Sequence, residues 1–419
     1  MKILAIETSC DETAVSVVEA GGAQWSPFFK ILASVVHSQV AIHAEWSGVV
    51  PSLAKREHAK NLTPVLQKAL NEAALLKQRQ ITHPLIRANK RMVIKIKKTL
   101  AREFGLAEAF LDFVPSIETP KIDVIAVTRG PGLEPALWTG INFAKALSIC
   151  WEKPIIPINH MEGHALSAIL PKAETGEKIK ANLKLPAIAL LISGGHTELV
   201  LIKNWLEYKV IGHTRDDAIG EAFDKVARML GLPYPGGPEI SKLAEKFVKY
   251  HFHGKRDLKI SLPRPMLNSG DLDFSFSGLK TAVLYLIKKL QGKDALVLER
   301  EEIKSAIAHE FEEAVVEVLI NKTKRALENC SAREKIKTLI IGGGVIANKK
   351  IRLAFQNLVK KEFPKMKLLV PDMSLTTDNA TMIALAAYFH WLDLKKKGGV
   401  SKKNFRPRPI KADGNLSLA

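Results

Sequence analysis

Twice in this chain, about two hundred residues apart, an apolar strand runs into a short polar turn and out into a second apolar strand. The first copy is Ile3-Leu4-Ala5-Ile6, then Glu7 to Thr13, then Ala14-Val15-Ser16-Val17-Val18. The second is Ala187 to Ile192, then Ser193-Gly194-Gly195-His196-Thr197, then Glu198 to Ile202. A repeated opening of this kind predicts two similar halves facing a cleft. Each copy is followed by a further strand and a glycine-bearing turn. Val124 to Val127 enters Thr128-Arg129-Gly130-Pro131-Gly132, with a helix-like stretch over Leu137 to Ile149. Thr338 to Ile341 enters Gly342-Gly343-Gly344, with a helix from about Ala347. Strands alternating with helices place the chain in the α/β class. The Lys- and Pro-containing stretch Lys172 to Pro186 is the natural boundary. The expected division is therefore residues 1–180, residues 181–394 and a basic tail, 395–419.

Charge narrows the partner. Sixty-two Lys and Arg against 43 Asp and Glu leave a formal charge of +19, which favours a polyanion through release of its condensed counterions. Between Lys77 and Arg102 stand nine basic residues and no acidic one: Lys77, Arg79, Arg87, Lys90, Arg91, Lys95, Lys97, Lys98 and Arg102. Within that stretch Met92 to Lys97 alternates apolar and basic residues and fits either a strand or an amphipathic helix. A second cluster runs from Lys395 to Lys411 and reads as a loose tail after a helix. Both clusters are nucleic-acid surfaces or solvated faces. No run approaches the ~20 apolar residues of a membrane helix. The strand-like opening with Glu7 and Asp11 is unlike a secretory or transit peptide. Three dispersed cysteines, Cys10, Cys150 and Cys330, form neither a disulfide framework nor a zinc ribbon, so a reducing cytoplasm is expected.

Several segments could carry chemistry. Ser193-Gly194-Gly195, Gly236-Gly237 and Gly342-Gly343-Gly344 leave backbone N–H groups open to a phosphate or ribose. None fits a P-loop or a dinucleotide fingerprint. His160 and His164, at i and i+4, share one helix face and can share an ion; the same pattern also serves as a plain polar face. Glu162 does not stand beside the first histidine as the base of a zincin would. Thr376-Thr377-Asp378-Asn379-Ala380 precedes an apolar helix from Met382 to Trp391, where a capping residue is needed. Asp11, Glu12 and Asp224 lie in or near polar turns and could hold a metal or orient a nucleotide.

Together these residues resemble one family, the tRNA adenosine threonylcarbamoyltransferases of the bacterial TsaD type, once described as glycoprotein endopeptidases. The likeness starts at Glu7-Thr8-Ser9-Cys10-Asp11-Glu12-Thr13 and passes through Gly48 to Pro51, Gly130 to Leu133 and His160-Met161-Glu162-Gly163-His164. It continues through Ser193 to Thr197, Gly220 to Lys225 and Tyr234 to Pro238. Asp273 to Thr281, Gly343 to Asn348 and Thr377-Asp378-Asn379 complete it.

The resemblance implies two domains of the actin and sugar-kinase type. It implies that His160, His164 and Asp378 bind one divalent metal ion, iron or zinc, which displaces capping as the reading of Asp378. It implies that Leu191, Ile192, Ser193, Gly194, Gly195, Asp224, Gly237 and Asn348 bind the adenylate. The donor would be threonylcarbamoyl-adenylate and the acceptor N6 of adenosine 37, beside the anticodon of tRNAs reading codons that start with A. Asp11 is the candidate for orienting or deprotonating that amine. The resemblance further implies a heterodimer with a catalytically silent paralogue, joined by an accessory ATPase.

Two departures from the family pattern stand out. Ser52 and Lys55 replace an acidic and a small polar residue. Residues from about Ala74 to Pro120 form a longer, more basic stretch, read as an inserted basic subdomain. It is either an extra tRNA or partner surface or a lineage-specific elaboration with no role in catalysis. Alternatives are a non-catalytic nucleotide-binding scaffold like the silent paralogue, a metalloprotease and a small-molecule kinase of the same fold. The histidine–aspartate set speaks against the first, the position of Glu162 against the second, and the basic clusters against the third.

Overall fold

The computed structural model describes residues 1–79, 90–170, 174–181, 183–251, 260–331, 334–398 and 409–418. Two compact units result. Among the described residues, the first comprises those within 1–41, 49–183 and 371–418, and the second those within 42–48 and 184–370.

The first unit is built on a six-stranded sheet. Its strands are β1 (Lys2–Glu7), β2 (Glu12–Ala23), β3 (Ser26–Ser38), β4 (Val124–Gly130), β5 (Ile155–Asn159) and β6 (Lys178–Lys180), in the order β5-β4-β1-β2-β3-β6. Strand β1 pairs antiparallel with β2, Ile3 opposite Val18 and Ile6 opposite Val15, and parallel with β4. Because side chains alternate along a strand, Leu4 and Ile6 share one face while Ile3, Ala5 and Glu7 share the other. Leu4 and Ile6 enter a core with Leu62 and Leu66 of the helix Pro51–Glu72 and Ile141 and Phe143 of the helix Glu134–Trp151.

The second unit repeats the plan. Its strands are β7 (Ala187–Ile192), β8 (Thr197–Asn204), β9 (Glu207–His213), β10 (Thr338–Gly342) and β11 (Lys367–Leu369), in the order β11-β10-β7-β8-β9. Again the first strand pairs antiparallel with the second and parallel with the fourth, and the fourth pairs parallel with the fifth. The two five-strand patterns are the same in order and direction. That is the paired α/β topology expected of the actin and sugar-kinase type. Strand β7 is buried along its whole length, as a central strand covered on both faces must be. Ile188, Leu190 and Ile192 pack with Phe223, Phe311 and Phe355 of the surrounding helices.

Linear order misplaces one element. The helix Ala380–Lys396 lies within the 181–394 span read as the second half, yet it packs against β1, β2 and the helix His160–Ser167 of the first unit. The end of the chain also differs from a loose tail over its described part. Asp413 N–H donates to Arg129 O at 2.9 Å, and Ile410 and Leu418 are buried. Arg87, Lys402, Lys403, Arg406 and Arg408 lie outside the described residues. Met92 to Lys97 belongs to a helix, Lys90–Thr99, which settles the strand-or-helix alternative: burial of Ile96 and Leu100, four apart, selects the helical period. No helix among the described residues is long and apolar enough to cross a membrane.

A candidate metal centre and a nucleotide-sized cavity

The centre begins where β5 ends. Asn159 closes that strand and caps the next helix, its Oδ1 accepting from the N–H groups of Met161 at 2.8 Å and Glu162 at 3.4 Å. The cap fixes the start of His160–Ser167, so His160 and His164 fall one turn apart on one face. Their rings meet edge to face with centroids 4.6 Å apart. Gly163 lets this helix approach the helix Ala380–Lys396: a Cβ there would lie 3.0 Å from Met382 Cγ and 3.1 Å from Ile383 Cδ1.

The approach brings in Asp378. Capping of the helix Ala380–Lys396 falls to Asn379, whose Oδ1 accepts from Met382 N–H at 2.9 Å, leaving the carboxylate of Asp378 for the histidines. Its Oδ1 lies 3.3 Å from His160 Nε2 and 3.1 Å from His164 Nε2. One ligand atom from each of the three residues lies within 4.8 Å of the other two. Ligands about 2.1 Å from one ion stand roughly 3.0 to 3.4 Å apart in adjacent positions. The two nitrogen–oxygen separations match that spacing, and two imidazoles with one carboxylate form a donor set suited to zinc or ferrous iron.

Two residues that the sequence reading did not single out hold this set from behind. Glu7, fully buried at the end of β1, receives His160 Nδ1 at 3.2 Å on its Oε2. The same carboxylate accepts from Thr128 Oγ1 and from the Ser9 N–H, both at 2.5 Å. Ser9 Oγ lies 3.2 Å from His160 Nδ1 and 3.4 Å from Asp378 Oδ2. A carboxylate on the remote nitrogen of a ligating histidine sets its tautomer and orientation. The signal was present in the strand: Glu7 continues the inward row of Ile3 and Ala5, where an acid needs a buried partner. Glu162 is turned elsewhere, its Oε2 accepting from His390 Nε2 at 2.8 Å, so it does not serve the centre as a base.

Charge and burial compete here. Burial disfavours a charge on His160, but Asp378 and Glu7 outweigh it and raise its pKa well above the usual histidine value. On His164 burial dominates and the pKa falls. Burial likewise opposes the charge of Asp378, yet the two histidines hold its carboxyl far below the ordinary range. Nearby, burial and then the charges of Asp378 and Asp11 push Glu12 well up, with a side-chain hydrogen bond between Glu12 and Asp11. Asp11 itself is buried. The Cys10 thiol is raised by burial and by Asp11.

The second unit contains a cavity of about 800 Å³. Of the residues expected to bind an adenylate, Gly194, Asp224, Gly237 and Asn348 line it. Leu191 and Ile192 are core residues of β7, fully buried; Ser193 and Gly195 belong to the turn beside Gly194. At Gly194, Gly237 and Gly344 a Cβ would meet nothing within 4 Å, so the cavity wall there is bare backbone that a ligand can approach. Gly220 is needed for packing instead, since a Cβ there would come within 2.8 Å of Gly194 Cα and Ser193 O. Asp224 Oδ1 accepts the Gly236 N–H at 2.7 Å and holds the Gly236-Gly237 turn. Asn348 caps the helix Lys349–Glu362 through Ile351 N–H at 3.0 Å. Its Nδ2 donates to Ser241 Oγ at 2.8 Å and to Glu312 Oε1 at 2.7 Å. Glu312 was not anticipated, although it lies in the apolar row Ala308, Glu312, Val315, Leu319 of the helix Glu301–Ser331.

The family model described as TsaD, tRNA N6-adenosine threonylcarbamoyltransferase, matches residues 30–83 and 106–385. A curated tRNA N6-adenosine threonylcarbamoyltransferase of Thermosipho melanesiensis is 42% identical over 388 residues, covering 93% of this chain and 94% of that one. Those of Burkholderia thailandensis and Chromobacterium violaceum are 39% and 38% identical, covering 92% and 96% of this chain and 91% and 97% of their own. Between the two matched segments lie residues 84–105, the heart of the basic stretch.

Proposed function

The chain belongs to the family of tRNA N6-adenosine threonylcarbamoyltransferases, and on that premise we propose how its own residues divide the work. It is a transferase that forms N6-threonylcarbamoyladenosine in tRNA. The donor is threonylcarbamoyl-adenylate and the acceptor is adenosine 37 of tRNAs reading codons that start with A. The adenine amine forms a bond to the carbamoyl carbon, and the bond from that carbon to the adenylate phosphate oxygen breaks. AMP leaves with the electron pair and the amine gives up a proton.

The observation that carries this reading is the meeting of His160, His164 and Asp378 at coordination spacing in a chain of this family. These three residues would hold one divalent ion, iron before zinc, which when bound supplies a Lewis acid and an anchor for substrate oxygens. Glu7 orients His160 through Nδ1, and the Ser9 hydroxyl contacts both His160 Nδ1 and Asp378 Oδ2. In the second unit Gly194 and Gly237 offer bare backbone, while Asp224 and Asn348 shape the wall for the adenylate. Leu191, Ile192, Ser193 and Gly195 support that turn from β7.

An exocyclic adenine amine is a weak nucleophile, so placement supplies much of the acceleration. Asp11 is assigned to orient the amine and take its proton. Its neighbour Glu12, joined to it by a side-chain hydrogen bond, has its pKa pushed up by burial and then by Asp378 and Asp11. The cytoplasm is where such a tRNA substrate is met. A silent paralogue and an accessory ATPase are the partners assigned to this chain.

Purified chain, threonylcarbamoyl-adenylate and unmodified tRNA transcript test the reading, with nucleoside mass spectrometry as readout. Product formed by the wild type and lost in His164→Ala, together with loss of bound metal, supports it. No product even with the partner proteins present overturns it and leaves a nucleotide-binding scaffold.

A further inference from the structure

We propose that the basic helix Lys90–Thr99, with the residues that follow it, is a rigid phosphate-binding surface for the tRNA substrate, additional to the family's common machinery. The inference rests on the tRNA-modifying reading above. Residues 84–105 fall between the segments matched by the family model, so the surface lies outside the part that the model describes.

The segment is firmly mounted. Ile96, Leu100 and Leu106 are buried in the core of the first unit. Glu103, 3% exposed, accepts from Thr139 Oγ1 and Asn142 Nδ2, each at 3.0 Å. Lys55 lies 3.4 Å from the same carboxylate and donates to Arg102 O at 3.0 Å. This gives a physical account of the departure at Lys55: a residue of the common fold has become a fastening for the insertion.

What the mount presents is positive. Lys90, Arg91, Lys95, Lys97 and Lys98 are exposed and the helix carries no acid. Lys90, Lys95, Lys97 and Lys98 form no ion pair among the described residues. An acid-free cluster of exposed cations of this kind attracts a nucleic-acid backbone through release of its counterions. Phe104, 93% exposed, stands just beyond the helix and offers a ring on which a base or ribose can stack. Ile96 is buried and Met92 packs against the core, while Ile94 stays 65% exposed among the lysines. The acid-free charge of the helix favours the polyanionic tRNA, and a lipid surface is an outcome of the test.

Position supports the assignment. The helix Glu134–Trp151 carries Thr139 and Asn142, which grip Glu103. Near its start, Ala136 O accepts Thr8 Oγ1 at 3.0 Å and Leu133 N–H donates to Ser9 O at 2.7 Å. Three to six residues of helix span about 5 to 9 Å. The basic surface is therefore coupled through one helix to the loop that bears Ser9.

The test compares the full chain with a variant carrying Lys90→Gln, Lys95→Gln, Lys97→Gln and Lys98→Gln, and with Phe104→Ala. Binding of an unmodified tRNA transcript is measured across a salt series. The fourfold variant should bind less tightly, with a log–log salt slope shallower by about 2 to 4, since each lost phosphate contact removes about 0.9. KM for tRNA should rise while kcat at saturating tRNA stays unchanged. Phe104→Ala should weaken binding roughly tenfold with the slope unmoved, since stacking releases no counterions. A folded fourfold variant with wild-type affinity and slope overturns the proposal. So does a variant that loses only its binding to vesicles of anionic phospholipid, which would make the patch a membrane surface. A wild-type chain that binds no tRNA at all would instead bring down the functional reading on which the proposal stands.

Discussion

The buried carboxylate of Glu162 accepts a hydrogen bond from His390 Nε2 at 2.8 Å, tying together two helices that place the metal ligands. His160 and His164 lie on one of them, and Asp378 lies two residues before the other. Burial lowers the pKa of His390, but Glu162 overcomes it and the net shift is upward. The pair is thus a charged clamp on the geometry of the centre.

Replacing His390 by Ala should cost about 1–3 kcal/mol of stability and loosen metal retention roughly tenfold. Because the folded pKa is raised, the clamp contributes fully below about pH 6.5 and its contribution fades as pH rises through the folded value. Chemical unfolding of wild type and His390→Gln at pH 6 and pH 9 checks this. The stability gap between them should be larger at pH 6.

Glu7→Gln keeps the size of the side chain but weakens the partner of His160 Nδ1. Metal affinity should fall about 10- to 100-fold with the fold intact, read by competition with a chelator and by circular dichroism. Unchanged metal affinity would limit Glu7 to holding Ser9 and Thr128.

Asn348 combines a helix cap with two donors to Ser241 and Glu312. Asn348→Ala should cost about 2 kcal/mol and impair binding of an adenylate analogue. Asn348→Asp retains the cap but sets a carboxylate against the 4% exposed Glu312. It should therefore be the worse of the two in calorimetric titration with the analogue.

In the second unit Lys322 is wholly buried, and its ammonium reaches Ser269 Oγ at 2.8 Å and Asp271 Oδ1 at 3.1 Å. The Ser269 hydroxyl first, then Lys322, hold the Asp271 carboxyl down to about 2. A depressed carboxyl stabilises the fold above its unfolded pKa of about 3.9, and that contribution is lost as pH falls toward 2. Asp271→Asn should consequently narrow the stability gap to wild type between pH 5 and pH 2 in an acid-unfolding series.

The paired architecture was legible because β1 and β7 are apolar runs ending in polar turns, a pattern that needs no tertiary information. The helical spacing of His160 and His164 was legible for the same reason. Asp378 was not legible from local rules: Thr377, Asp378 and Asn379 are all capping residues, and only the three-dimensional structure gives the cap to Asn379. Nor does any local signal announce that the chain returns to the first unit at Pro371, since the contacts of the helix Ala380–Lys396 with β1 and β2 are distant in sequence. Glu7 was readable from strand alternation and Glu312 from helical spacing, as charged residues on buried faces. Their partners, His160 and Asn348, could not be read the same way, because they come from other elements.

The most direct measurement is the modified-nucleoside content of tRNA in a bacterial host depleted of its own threonylcarbamoyltransferase and supplied with this chain. The account predicts that the wild type restores N6-threonylcarbamoyladenosine, while His160→Ala and His164→Ala, both folded, do not. Restoration by the two variants would contradict the assignment of the metal centre. Failure of the wild type, with its own partner proteins supplied, would contradict the transferase itself.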